Sequence, residues 1–282
     1  MSTQNFADDS LALDVLPDVV HEDYSRSDGM VFRNLAFRGQ TFTQGGKVSL
    51  EDSSDFAAWW DAFLDDRIAP PATEREISAV DVFSGSGGFS VGLRSAVEGL
   101  GGHLRIRAAI DIDGPALQVH QQNHGTELLL NQSADLLVDW QLKGGRAASR
   151  FKYEPEIVDD ELAPLRGEID VLLGGPPCQG HSSLNNSTRH NDDRNGLYLT
   201  MPALAVALDV PVVVIENVPG VVRDSSGVVQ ASESLLRDAG YHVSSGVLAA
   251  DRLGWAQTRK RFFKVGIKGL HPVPIALQGA AL

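Results

Sequence analysis

The chain of 282 residues has a single cysteine, so no internal disulfide can form, and the thiol suits a reducing compartment in which it stays usable. It has no apolar run long enough to span a bilayer, and no basic, apolar and small-residue leader opens it. A membrane-spanning or secreted protein is therefore not expected, and the reading is soluble and cytoplasmic. His and Cys do not recur at ligand spacing, so no metal is expected. Basic residues are in deficit, 24 Lys and Arg against 37 Asp and Glu for a net charge of -13, which repels polyanions. There is no internal repeat, and the length suits one large α/β domain or two modest ones.

The lone thiol stands in Gly174-Gly175-Pro176-Pro177-Cys178-Gln179-Gly180-His181-Ser182, directly after the apolar run Ile169–Leu173. That run reads as a buried parallel strand, so Cys178 is presented at a strand's carboxyl end, where open α/β sheets bind ligands. An isolated cysteine is also a common buried structural residue. Two prolines stiffen the backbone and remove amide donors beside the thiol, which suits a nucleophile held still.

Two further segments follow the same strand-then-polar pattern, and a third is a polar run that opens a strand. Ala79–Phe83 leads into Ser84-Gly85-Ser86-Gly87-Gly88 and then an amphipathic segment, Phe89 to Val97. Pro211–Ile215 leads into Glu216-Asn217-Val218. Gln257-Thr258-Arg259-Lys260-Arg261-Phe262-Phe263 opens a strand expected over Thr258–Val265, with Arg259 and Arg261 on one face and Lys260 on the other. Each has a plain alternative: a structural βα turn, a solvated carboxylate, two surface arginines.

Taken in order, the four segments resemble the signature blocks of the cytosine-5 DNA methyltransferases, over about Ile77 to Ile267. The order makes the resemblance specific where one motif is weak. It implies a Rossmann-like α/β fold of the S-adenosylmethionine-dependent methyltransferases, a mostly parallel doubly wound sheet, with restriction-modification enzymes among the relatives. It implies S-adenosyl-L-methionine as cofactor, with contacts from Asp81, Phe83, Gly85, Gly87, Gly88 and Pro176. Ala109–Asp113 reads as the next strand with an acid at its end, and Asp111, where the family usually has Glu, is matched to the ribose hydroxyls beside Ile112. Asp135 is matched to the adenine amino group, with a turn or helix-start aspartate as the alternative.

The implied chemistry is methyl transfer to carbon 5 of cytosine in DNA. Carbon 5 is a poor nucleophile until a thiolate adds at carbon 6, and Cys178 is the thiol available. Charge arriving on the ring calls for a proton at nitrogen 3, which Glu216 can give if partly desolvated. Arg259 and Arg261 are matched to the base carbonyl and the catalytic loop. Gln179, Ser182, Arg189 and Arg194 are the DNA contacts, the last two in a polar run that reads as either glycosylated or disordered filler or a lid closing on an extruded base. His181 departs from the usual Phe.

Residues 1–76 do not match the blocks, 77–268 form the expected catalytic domain and 269–282 a tail. The start, to about Gly29, is acidic and expected to be loose. Phe32–Leu50 reads as a hairpin turning at Gln44-Gly45-Gly46-Lys47. Ser54 is expected to cap a helix to about Asp66, whose stripe of Phe56, Trp59, Trp60 and Phe63 lies against the first strand of the main sheet. No recognition region follows Ile267, and the chain is acidic. The expectation is a catalytic subunit of a split, nucleoid-associated enzyme, whose second subunit carries the target-recognition region. An RNA cytosine-5 methyltransferase and a non-catalytic cofactor-binding protein are the alternatives.

Overall fold

The computed structural model of the chain describes residues 21–37, 39–48, 53–177, 197–253 and 255–269. Strands β1 (His21–Ser27), β2 (Met30–Phe37) and β3 (Gln40–Lys47) form an antiparallel meander. Two expectations change here. Residues 21–27 are a paired strand, not part of a loose terminus. The hairpin does not turn at Gln44–Lys47, because Gly45 and Gly46 lie inside β3. A Cβ on Gly45 would stand 2.6 Å from the Phe32 ring, and one on Gly46 would stand 2.5 Å from Ile68. These glycines serve close packing in a strand rather than a turn.

Helix α1 (Asp55–Leu64) begins as expected, with Ser54 Oγ accepting from the Ala57 amide at 3.2 Å. Its buried face of Ala58, Trp59, Ala62 and Phe63 covers Val31 of β2 together with Ile68, and Val91 borders the cluster. The helix therefore lies on the small meander, not on the main sheet. An amphipathic pattern specifies which face is apolar but not what covers it.

The main sheet contains β4 (Glu76–Val82), β5 (His103–Ile110), β6 (Leu128–Leu130), β7 (Val171–Gly174), β8 (Val212–Asn217), β9 (Tyr241–Ala249) and β10 (Lys260–Lys268), in the order β9-β10-β8-β7-β4-β5-β6. β10 runs antiparallel to β8 and β9, and the remaining pairs are parallel. The central strands read as continuous apolar runs because both faces are covered. Val80, Val82, Leu172, Val213 and Ile215 enter one core with Met201 and Leu204 of α4 (Thr200–Ala207) and Leu236 of α5 (Val228–Asp238). Ala79, Val171 and Leu173 face the other way, against Phe89 and Leu93 of α2 (Gly88–Gly99).

From β4 the chain moves outward to β6 by way of α3 (Gly114–His124), then returns to the far side of β4 at β7. The sheet thus has a topological switch point between β4 and β7, and a crevice opens there at the carboxyl ends. Asp139 to Glu168 contributes only short paired segments and 3₁₀ turns.

Candidate active site

The glycine turn after β4 is the first wall of the crevice. Phe83, Gly85 and Gly87 have positive φ of 57°, 51° and 93°, a region that Phe enters only under constraint. A Cβ at Gly85 or Gly88 would meet nothing within 4 Å, so the turn is open to the crevice. Gly87 is closed from behind, where a Cβ would lie 2.4 Å from His124 Nε2.

Beneath the turn is a buried polar network. Asp81, 1% exposed, accepts from Ser90 Oγ at 2.6 Å, and His120 Nε2 lies 3.4 Å from the same oxygen. His120 Nδ1 is 2.8 Å from Thr126 Oγ1, and the His124 ring is 4.8 Å from that of His120. His124 Nε2 is 3.0 Å from the Gly87 carbonyl, which it serves as donor. Burial, and then the neighbouring His120, hold the His124 pKa below the usual histidine value. Asp81 Oδ1 and Ser84 Oγ have no partner among the described residues. Reading the sequence alone gave His120, His124 and Ser90 no role, because two histidines one helical turn apart carry no signal until the facing glycine is placed.

Asp111 does not end a strand, since β5 stops at Ile110. One carboxylate oxygen accepts from Gly85 N at 2.8 Å and the other from Asp113 N at 2.9 Å. Asp113, also expected in that strand, instead caps α3 by accepting from Ala116 N at 3.1 Å, ahead of Pro115. An Asp-Gly-Pro sequence favours this helix start over strand continuation. Ile112 is 76% exposed at the crevice rim. Asp135 sits exposed in the 3₁₀ turn Ala134–Leu136 and accepts from Ser133 Oγ.

The second wall is the turn after β7. Gly174 packs so closely that a Cβ would lie 2.4 Å from the Met201 sulfur. Pro176 is buried, and its carbonyl accepts from Asn217 Nδ2 at 3.1 Å, while Asn217 Oδ1 accepts from Val218 N at 2.8 Å. Asn217 thereby ties the two strand ends together, a role that its place beside Glu216 in the sequence did not reveal. Cys178, Gln179, Ser182, Arg189 and Arg194 lie outside the described residues.

The third wall comes from β8 and β10. Glu216 pairs across the ladder with Phe263, which brings Arg261, two residues away on the same face, within reach. Arg261 Nε is 2.8 Å from Glu216 Oε1, and both side chains are about a quarter exposed. Arg259 precedes β10 rather than alternating within it, because its carbonyl accepts from Ala250 N at 2.8 Å and closes a loop. It nevertheless lines the same cavity of about 380 Å³ as Glu216, Arg261, Gln257, Trp255 and Gly88. Burial raises the Glu216 pKa above the ordinary carboxylate value, opposed by the charges of Arg261 and Arg259.

A carboxyl between two arginines and a proline turn, one strand from a glycine-lined crevice, suits a bound planar base next to a nucleotide-like ligand. The family model for C-5 cytosine-specific DNA methylase matches residues 77–277. The chain belongs to that family. It is similar to the type II methyltransferase M1.BsuMI of Bacillus subtilis (strain 168), 35% identical over 191 residues, a match covering 68% of this chain and 43% of that protein. It is likewise similar to DNA (cytosine-5)-methyltransferase 1 of Gallus gallus, 29% identical, covering 66% of this chain and 11% of the other. The match therefore spans less than half the length of these relatives. The structure of the Entamoeba histolytica methyltransferase EhMeth superimposes with a TM-score of 0.51 at 17% identity, covering 74% of this chain and 57% of that one, which shows a shared fold.

Among the described residues no group of His, Cys, Asp or Glu is placed to hold a metal, and no helix is long and apolar enough to cross a membrane.

Proposed function

We propose that this family member transfers a methyl group to carbon 5 of cytosine in DNA, through a covalent adduct on Cys178. The observation that carries the reading is the Glu216–Arg261 pair, joined by Arg259 in one cavity beside the Pro176 turn that leads into Cys178. S-adenosyl-L-methionine, when bound, supplies an electrophilic methyl group. The crevice fits such a nucleoside. Asp111 keeps lone pairs beyond the two amides that it accepts from, Ile112 offers exposed apolar surface, Asp135 is exposed, and the open turn at Gly85 and Gly88 lets backbone amides approach.

The thiolate of Cys178 adds at carbon 6 of the base, and the ring electrons move toward carbon 5. Glu216 in its protonated form donates to nitrogen 3, where that charge gathers, and burial favours the protonated form. Arg261 fixes the carboxyl in place, and Arg259 turns a second guanidinium into the cavity for the base carbonyl. Once carbon 5 has taken the methyl group and left the donor sulfur as a neutral thioether, loss of the carbon 5 proton to water expels the thiolate, and nitrogen 3 returns its proton to Glu216 as the ring is restored. Asn217 holds the turn before the nucleophile in register with Glu216.

Net charge of -13 opposes duplex binding. The further reading is a shared enzyme, in which a basic second polypeptide carries target recognition and most phosphate contacts. The test is duplex DNA containing cytosine fluorinated at carbon 5, incubated with S-adenosylmethionine and the chain together with any such polypeptide. A denaturing gel is expected to show a trapped protein–DNA band that disappears in Cys178→Ser. A band that persists in that variant removes Cys178 from the role.

A further inference from the structure

The small N-terminal unit, β1 to β3 with α1, is joined to the cavity by a continuous series of aromatic contacts. Trp59, fully buried, stacks on Phe63 at 5.0 Å and 14°. Trp60 meets Trp59 edge-on at 5.1 Å and, on its other side, Trp255 at 5.0 Å. Phe56 meets Trp255 edge-on at 5.5 Å. Trp255 lines the cavity with Glu216 and Arg259. It belongs to the loop between β9 and β10, whose neck is the Ala250–Arg259 bond. Inside that loop Trp255 N donates to Ala250 O at 3.1 Å, and Trp255 O accepts from Gln257 N at 2.8 Å. Gln257, two residues before Arg259, and Ala250, which holds the Arg259 carbonyl, are thus both bonded to Trp255, and Trp255 rests on α1.

The unit is fixed at its other end as well. Arg33 of β2 reaches Ser95 Oγ of α2 at 2.8 Å while its guanidinium lies over Trp59 at 4.7 Å. Arg94 of α2 lies over Phe63 at 4.7 Å, and a Cβ on Gly99 would strike Leu35 at 2.6 Å. α2 itself begins at Gly88, which also lines the cavity. The N-terminal unit therefore contacts both the Trp255 loop and α2, two elements that contribute residues to the cavity lining.

We propose that the N-terminal unit is a working part of the catalytic cavity, with Phe56, Trp60 and Trp255 as positioning residues that hold the Gln257–Arg259 segment against Glu216. This rests on the cavity being the base site described above. An aromatic contact between α1 and the loop sets where the Arg259 charge falls, and that charge in turn sets how readily Glu216 keeps its proton. The groups facing Glu216 in this argument are Arg261 on β10 and Arg259 ahead of it.

Trp255 is 38% exposed, so Trp255→Ala leaves the folded core intact. The full chain, labelled with ¹³C at the Glu side chains, is titrated by NMR, and methyl transfer is followed in parallel. In Trp255→Ala and Trp60→Ala the Glu216 carboxyl is expected to titrate at a higher pH than in the native chain, because the Arg259 charge has moved away. Transfer kcat is nevertheless expected to fall about a hundredfold, the scale of a one-ångström displacement, because the moved Arg259 no longer meets the base carbonyl although Glu216 holds its proton more readily, with the cofactor Kd unchanged. Trp60→Phe is expected to restore both. A native Glu216 titration in folded Trp255→Ala overturns the inference. Native protein with no transfer under any condition removes the proposed reaction instead, and the Glu216 titration still decides whether the unit positions Arg259.

Discussion

Burial and two arginines act on Glu216 in opposite directions, and burial is the larger effect. Its folded pKa is raised, so the protonated acid, and the proposed transfer that would depend on it, is present at low pH and is lost as pH rises through that value. The stability linkage has the same sign, being full below the unfolded pKa and lost as pH rises through the folded one. Glu216→Gln keeps the shape and removes the acid. Single-turnover transfer is expected to slow about a hundredfold, the usual scale for a general acid, and to lose this limb of its pH profile, while calorimetry finds native cofactor binding. His124 has the opposite sign. Its folded pKa is depressed by burial and by His120, so its contribution is present above the unfolded value of about 6.5 and is lost as pH falls through the folded one. Calorimetric unfolding is expected to show the native chain losing more stability than His124→Gln between neutral and mildly acid pH. Equal slopes in the two proteins would detach His124 from the glycine turn.

Helix α1 is the element on which the N-terminal unit depends. Trp59 is fully buried between the meander and α2, stacked on Phe63 and under Arg33. Trp59→Ala is expected to cost about 3–5 kcal/mol in denaturant unfolding, as for other large aromatic deletions in a core; a loss below about 1 kcal/mol would mean that the unit is not packed as described. This element also marks how far the sequence could be read. β4, β7 and β8 were legible because strands covered on both faces are unbroken apolar runs, and the α1 cap was legible because Ser54 supplies a local bond. The helix's partner was not, since Trp59 and Phe63 are equally apolar against either sheet. Gly45-Gly46 resembled a turn because a glycine that admits Phe32 and Ile68 cannot be told from one that admits positive φ. Glu216, Arg259 and Arg261 were legible as a set through their blocks. Trp255 was not, because its function depends on Phe56 and Trp60, nearly two hundred residues away in sequence.

At the scale of the whole molecule the governing quantity is charge. Phosphate contacts need free cations, yet the described arginines are extensively committed to carboxylates. Arg33 pairs with Glu22, Arg67 with Asp61 and Asp65, and Arg94 with Asp66. Arg105 and Arg107 share Glu127, Arg150 pairs with Asp238, and Arg237 with Glu233. Even Arg261, in the cavity, is paired with Glu216. Exposed pairs contribute little to stability, but they cancel the local field that would draw in a duplex, and the remaining charge of -13 is repulsive. Each phosphate neutralised adds about -0.9 to the slope of log affinity against log salt. The chain alone is therefore expected to bind a fluorescent duplex weakly, with a shallow slope, in anisotropy titrations across a salt series. A basic recognition polypeptide should raise the affinity and steepen the slope together, because it brings the cations that this surface has already spent on its own carboxylates. Tight, steeply salt-dependent binding by the chain alone would place those cations on this polypeptide and make the second one unnecessary.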